Sequence, residues 1–322
     1  MRCLISILFC SIAAAQQVQM VEADAGVKLE VLDWGGKGHS IILLAGSGNT
    51  AHVFEDFAPK LTSFAHVYGI TRRGYGVSSQ PASGYDNQRL ADDIVSVIDQ
   101  LKIASPVLCG HSAAGGEITT VANQHGDRTG GLIYLDALQD PRDFPASDPR
   151  YMELFRHLPQ DPPVPPETDE ERKSFALHRA RELRANGFAF PESEYRNSYQ
   201  INPDGSKGKY KTPQAIFQAM GDGEVKRDYS HVRVPVLALM NAEDTADEAN
   251  PKGQKPRNEE ERAAMKAFGA ATQAFVDRWK ANLVSSVPSA RIVDLPNAGH
   301  YVFLTREARC VSEIRAFIAS LK

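Results

Sequence analysis

The stretch Pro106-Val107-Leu108-Cys109-Gly110-His111-Ser112-Ala113-Ala114-Gly115-Gly116 joins an apolar run to a segment that reads as a helix from about Gly116 through Asn123. A serine set between a buried strand and a helix sits on a sharp turn that exposes its hydroxyl. Small neighbours are needed there because the two backbones nearly touch. The helix N-terminus that follows offers unpaired N–H groups suited to a developing oxyanion. Glycine and serine also build phosphate loops and ordinary strand–helix turns. Ala114 stands where a G-x-S-x-G pattern has its second glycine, and it is small enough to preserve close packing. Reading Ser112 as a nucleophile therefore depends on partners elsewhere in the chain.

Those partners occur in a definite order. Near the C-terminus, Leu295-Pro296-Asn297-Ala298-Gly299-His300 places a histidine in a loop after an apolar strand, Ala290 to Leu295. Between serine and histidine, Val234 to Met240 forms a continuous apolar strand that ends in Asn241-Ala242-Glu243-Asp244-Thr245-Ala246-Asp247. Open α/β sheets gather their chemistry at the C-terminal ends of buried strands. The order is serine, then acid, then histidine.

With these motifs in place the sequence resembles the α/β-hydrolase superfamily over nearly the whole chain after its leader. Arg73-Gly74-Tyr75-Gly76-Val77-Ser78 is similar to the loop after the family's fourth strand, and Asn297 to His300 to its catalytic-histidine loop. Ala45-Gly46-Ser47-Gly48 is similar to its oxyanion loop, with Ala45 in place of the usual histidine. The resemblance implies an α/β-hydrolase fold: a mostly parallel central sheet flanked by helices, with a mainly helical cap. It implies a catalytic set of Ser112, His300 and Asp244, and an oxyanion hole made by the Ser47 and Ala113 amides. Asp244 is preferred over Glu243 and Asp247 because it sits where the family's acid follows the seventh strand. Asp136, after the preceding strand, is the alternative, since some members place the acid there.

The residue types then dictate the chemistry. A serine hydroxyl is a poor nucleophile at neutral pH, so His300 takes its proton as it attacks a carbonyl. The aspartate fixes the histidine tautomer and stabilises the imidazolium. The expected reaction is hydrolysis of a small to medium carboxylic ester or lactone through an acyl-enzyme. Thioesterases, peptidases and C–C hydrolases use the same apparatus, and a ligand-binding member with negligible turnover is the alternative from another class. Epoxide hydrolases and dehalogenases of this fold attack with aspartate, so Ser112 argues against them.

Composition agrees with one large α/β domain carrying an insertion: 322 residues, 42% hydrophobic and 24% charged. A net charge of -4 and the lack of a basic stripe argue against nucleic acid as a partner. No H-E-x-x-H or clustered Cys/His spacing points to a metal, and no Walker pattern to a nucleotide, so no cofactor is expected. Arg72 and Arg73 read as a surface pair. Cys109 and Cys310 are the cysteines beyond the leader, and their pairing stays open.

The hydrolase core is expected at 16–138 and 232–322, and the cap at 139–231. In the latter the strand pattern stops and prolines and helical segments take over. The cap's aromatics, among them Tyr151, Phe155, Phe188, Phe190, Tyr195 and Phe217, could line a pocket or form the cap's own core. The polar stretch from Asp247 to Asn258 reads as an exposed loop.

Arg2, the apolar run Leu4 to Ile12 and Ala13-Ala14-Ala15 read as a signal peptide over residues 1–15. Its apolar run is far shorter than the ~20 residues of a membrane span, so a secreted or periplasmic protein without a stable membrane anchor is expected. N-terminal sequencing of the exported protein should therefore begin at Gln16. An intact Met1 in that fraction would contradict the leader.

Overall fold

The computed structural model describes residues 16–143, 148–158, 165–242 and 256–321. Residues 1–15 and most of the polar loop after Asp247 lie outside them. The chain opens with a hairpin, β1 (Gln17–Asp24) and β2 (Val27–Gly36), turned at Gly26 with φ +73°. Alternating units follow: β3 (Ser40–Leu44), α1 (Ala58–Leu61), β4 (His66–Thr71), α2 (Asn87–Gln100), β5 (Val107–His111), α3 (Ala114–Gln124) and β6 (Gly131–Leu135).

The chain then leaves the sheet. It forms α4 (Pro149–Arg156), α5 (Asp169–Lys173), α6 (Phe175–Asn186), α7 (Glu192–Ser198), a small hairpin of β7 (Tyr199–Ile201) and β8 (Lys207–Tyr210), and α8 (Gln214–Gly223). It returns through β9 (Val236–Ala242), α9 (Glu259–Ser286), β10 (Arg291–Pro296), α10 (Val302–Thr305) and α11 (Glu307–Ser320).

The eight core strands form one sheet in the order β1-β2-β4-β3-β5-β6-β9-β10. β2 runs antiparallel to β1 and β4, and every pairing from β4 to β10 is parallel. This is the α/β-hydrolase architecture that the resemblance implies. Successive side chains of a strand face opposite sides of the sheet, and the core divides accordingly. Ile42, Leu44, Leu108, Leu132, Ala238 and Met240 pack with residues of α2, α3 and α9 on one face. Ile41, Leu43, Cys109, Ile133, Leu237 and Leu239 pack with residues of α1, α10 and α11 on the other. A sheet buried on both faces needs continuous apolar runs, and these strands have them.

Between β3 and β4 the chain forms a 3-10 turn, Ala51–Phe54, followed by α1. Pro59, at the start of α1, has no N–H to give an upstream carbonyl, so a continuous helix through it would lose a bond. Near the C-terminus, Arg306, whose backbone (φ -125°, ψ 37°) is not helical, separates α10 from α11.

Arg72 and Arg73 do not form a surface pair. Both are buried, at 7% and 2% exposure. The loop after β4 turns inward, and each guanidinium finds its own carboxylate. Arg73 makes a bidentate bridge to Asp93 on α2, with both N–H···O distances 2.6 Å. Such planar, two-pronged pairs are the strong form of the ion pair. Cys109 and Cys310 are buried free thiols, and burial pushes the Cys109 thiol well above its ordinary value.

Removing one partner of a buried pair strands the other charge, which costs about 3–5 kcal/mol, whereas replacing both by apolar residues is often neutral. Asp93→Ala should therefore lower the free energy of unfolding in urea by about that amount. The double variant Arg73→Met/Asp93→Leu should recover most of the loss.

Candidate active site

Ser112 follows β5 directly and takes a left-handed backbone, φ +54°. A non-glycine residue in that region is uncommon and holds only where its surroundings fix it. Here they do. A Cβ built on Gly46 would lie 2.9 Å from the Ser112 Cβ, and one on Gly115 would lie 2.0 Å from the Ala137 carbonyl oxygen. The loop after β3, the turn after β5 and the end of β6 thus converge on the serine, and glycine is what the spacing allows. Helix α3 has no side-chain N-cap. Among the described residues, neither the Ser47 nor the Ala113 amide donates a hydrogen bond.

His300 lies in the loop after β10. Its Nδ1 is 2.7 Å from Oδ2 of Asp136, which follows β6 and also has a left-handed backbone, φ +44°. The Asp136 side chain is 10% exposed and that of His300 43%. The second oxygen of Asp136 accepts the Asn241 N–H at 3.0 Å, and Gln139 Nε2 lies 3.3 Å from the first. Asn241 in turn accepts the Gly299 N–H on its side-chain oxygen at 2.9 Å. It ties the end of β9 to both the aspartate and the histidine loop.

The carboxylate beside His300 is Asp136, which the sequence offered as the alternative to Asp244. Asp244, Glu243 and Asp247 lie outside the described residues. Asp136 occupies the Nδ1 side of the ring, because the left-handed turn after β6 swings its carboxylate over β9 toward the histidine loop. The sequence signal was the apolar strand ending in Asp136.

His111 buries its ring against that of His300, with centroids 4.6 Å apart. Its Nε2 is 3.0 Å from the His300 carbonyl oxygen, which can only accept, so Nε2 carries the proton. Burial, with His300 alongside, holds its pKa well below the ordinary histidine value. His111 is a neutral brace for the histidine loop.

The loop from Ala45 to Thr50 is gripped from two sides. From the core, Arg72 donates to the carbonyls of Ala45 and Gly46 and pairs with Glu117 of α3 at 2.7 Å. The Tyr75 hydroxyl lies 3.4 Å from the Ser47 Oγ. From the insertion, the Tyr210 hydroxyl donates to the Gly48 carbonyl. Glu194 of α7 accepts from Asn49 Nδ2, from Thr50 N and Oγ1, and from Ser198 Oγ. Burial pushes the Glu194 carboxyl above the usual range despite these donors.

The insertion's aromatics divide between two roles. Phe188 and Phe190 pack on Tyr301, the neighbour of His300, with centroids 5.1 and 5.0 Å away. Phe217 packs edge-on against Tyr75 at 5.6 Å. Tyr195 is buried within the insertion against Phe175 and His178, and Tyr151 and Phe155 pack on α9. Among the described residues no group of His, Cys, Asp or Glu could hold a metal ion, and no helix is long and apolar enough to cross a membrane.

Comparison with known proteins agrees with this fold. The model of the alpha/beta hydrolase family matches residues 41–313. The AB hydrolase superfamily protein YisY of Bacillus subtilis is 27% identical over 214 residues, 65% of this chain and 75% of its own length. A bifunctional esterase/perhydrolase of Acinetobacter calcoaceticus is 28% identical over 118 residues, 35% of this chain and 42% of that protein. Six other curated relatives likewise match over 33% to 50% of their own length. The crystal structure of E-2-(acetamidomethylene)succinate hydrolase superposes with a TM-score of 0.64 at 19% identity, covering 95% of this chain and all of that one. At that identity the likeness speaks to the fold.

His52, in the turn after the gripped loop, supplies a pH test. Burial opposes its charge, but the hydrogen bond to Glu30 and the Glu55 carboxylate 3.7 Å from its Nδ1 outweigh that and raise its pKa from 6.5 to about 9. The negative charge of Glu194 adds to the effect. A group raised on folding stabilises fully below its unfolded pKa and loses that contribution as pH rises through the folded one. His52→Gln should therefore flatten the fall in stability between pH 6.5 and about 9, read from urea midpoints across that window. An unchanged slope would place the proton elsewhere.

Proposed function

Because the chain belongs to the alpha/beta hydrolase family, we propose that it is a serine hydrolase cleaving a carboxylic ester or lactone of a small to medium organic substrate. The observation that carries this reading is the 2.7 Å pairing of His300 Nδ1 with Asp136, on strand ends that also converge on Ser112. With Nδ1–H donated to the carboxylate, Nε2 of His300 is left as the base. It takes the Ser112 proton as Oγ attacks the substrate carbonyl. The Ser47 and Ala113 amides receive the oxyanion, a contribution made in the transition state. The alkoxide leaving group departs with the proton from His300. Water, deprotonated by the same nitrogen, then hydrolyses the acyl-enzyme and restores Ser112.

Asp136 is the acid of the triad in this reading. Its task is to hold the ring and to stabilise the imidazolium, as a buried carboxylate does without itself being protonated. The insertion, residues 139–231, acts as a cap whose Phe188, Phe190 and Phe217 favour an apolar or aromatic group on the substrate. The resemblance to an esterase/perhydrolase supports an ester as one substrate class. Export by the N-terminal leader would place the reaction outside the cytoplasm.

Incubation with a fluorophosphonate and a panel of nitrophenyl esters tests the proposal. Ser112→Ala should abolish both adduct and turnover, a loss on the order of 10⁶ in kcat. Asp136→Asn should cost about 10⁴, and Asp244→Asn only a few-fold. Turnover by Ser112→Ala equal to the parent would sink the nucleophile. A larger loss from Asp244→Asn than from Asp136→Asn would return the acid to the later strand. An adduct without turnover would point to another acyl substrate or to a binding role.

A further inference from the structure

We propose that Arg72 is a positioning residue. Its guanidinium locks the Gly46–Ser47 peptide so that the Ser47 N–H, and not the Gly46 carbonyl, faces the reacting carbonyl. This inference rests on the serine-hydrolase reading above and deepens it. Among the described residues no peptide bond is cis. In a planar trans peptide, C=O and N–H point in opposite directions. The Gly46 oxygen accepts from Arg72 Nη1 at 2.8 Å and from the Asn49 N–H at 3.3 Å. The Ser47 N–H, on the far side of the same unit, therefore points away from Arg72. Gly46 itself packs against Ser112, so the amide leaves the loop beside the nucleophile.

The alternative orientation is accessible to the backbone. Rotation of the Gly46–Ser47 peptide changes ψ of residue 46 and φ of residue 47, and the glycine at 46 imposes no side-chain penalty on its half of that change. What opposes it is charge. A flipped peptide would present N–H to the guanidinium, donor against donor, and would turn a carbonyl oxygen toward the developing oxyanion. Arg72 is buried at 7% exposure and would lose a charge-assisted bond that water cannot replace. Its other anchor is Glu117, in the first turn of α3, the helix that starts immediately after Ala113. One ion pair thus fixes the spacing between the loop that carries one amide and the helix that carries the other. Lysine could not do the same, because the work needs divergent donors for two carbonyls and a carboxylate at once.

Arg73 provides the control. It is the adjacent residue, equally buried and equally paired, yet its partner is Asp93 and it makes no bond to the loop. The experiment measures kcat and KM on nitrophenyl esters for Arg72→Ala, Arg72→Lys and Arg73→Met, with a crystal structure of Arg72→Ala. Loss of one oxyanion donor costs about 10²–10³ in kcat. That loss is expected for Arg72→Ala and Arg72→Lys with KM nearly unchanged, with partial rescue of Arg72→Ala by added guanidinium. Arg73→Met should lose stability but keep its kcat. Equal kcat losses at 72 and 73, or full activity in a folded Arg72→Lys, would overturn the proposal. Should the parent protein show no Ser112-dependent turnover, the hydrolase reading fails separately. The crystal structure then decides this point: a rotated Gly46–Ser47 peptide supports the lock and an unchanged one overturns it.

Discussion

The site depends on a close approach of three backbones around Ser112. The loop after β3, the turn after β5 and the end of β6 pack so tightly that side chains at Gly46 or Gly115 would strike Ser112 or Ala137. Parallel strands are fixed relative to one another by their ladders, and β3, β5 and β6 pair in register along their lengths. Their C-terminal ends therefore arrive at one place, and whatever follows each strand must fit the space left by the others. That packing holds Ser112 at a positive φ and brings the turn carrying Asp136 within reach of the loop carrying His300.

Buried charge does the remaining orientation. Placing Arg72, Glu117, Arg73, Asp93 and Glu194 in the interior is expensive, and pairs of this kind add little net stability compared with apolar packing. Their value is directional. Asp136 spends its oxygens on His300 and on the Asn241 amide, which leaves its carboxylate one orientation. Asn241 carries the constraint on to Gly299, so the histidine loop is registered against β9 as well as against the acid. His111 supports the same loop from below as a neutral ring. The geometry of the candidate site is held by several modest bonds that share partners, so the loss of one loosens the others.

Much of this was legible in the sequence, for reasons that differ by residue. Strands buried on both faces appear as plain apolar runs, and the turn at Ser112 announces itself through its small neighbours. The acid was not settled by such rules. Asp136 and Asp244 both follow apolar strands, and sequence spacing cannot say which side chain reaches His300. A left-handed backbone at residue 136 decides it, and no local pattern encodes that. Arg72 and Arg73 misled for a related reason: two adjacent arginines look solvated until their carboxylates, Glu117 and Asp93, arrive from helices far along the chain. The aromatics of the insertion could not be sorted because their roles depend on which ones meet Tyr301 and Tyr75.

The docking of the insertion bears on how the site admits substrate. Glu194 is 1% exposed and takes four donors, three of them from the loop that carries the Ser47 amide. Tyr210 holds the next carbonyl of that loop, and Tyr301 reaches Asn49 from the histidine side. Lifting α7 as a rigid lid would strip a buried carboxylate of its partners, and hydrogen bonds to charged groups are worth about 1.5–3 kcal/mol each. The same motion would release the oxyanion loop from above. A site that opened this way would lose its geometry whenever it admitted substrate. The physical economy of the structure therefore favours an insertion that stays docked over α7 and the β7–β8 hairpin. The rings of Phe188 and Phe190 lie against Tyr301, and that of Phe217 against Tyr75, beside the bonds that hold this loop.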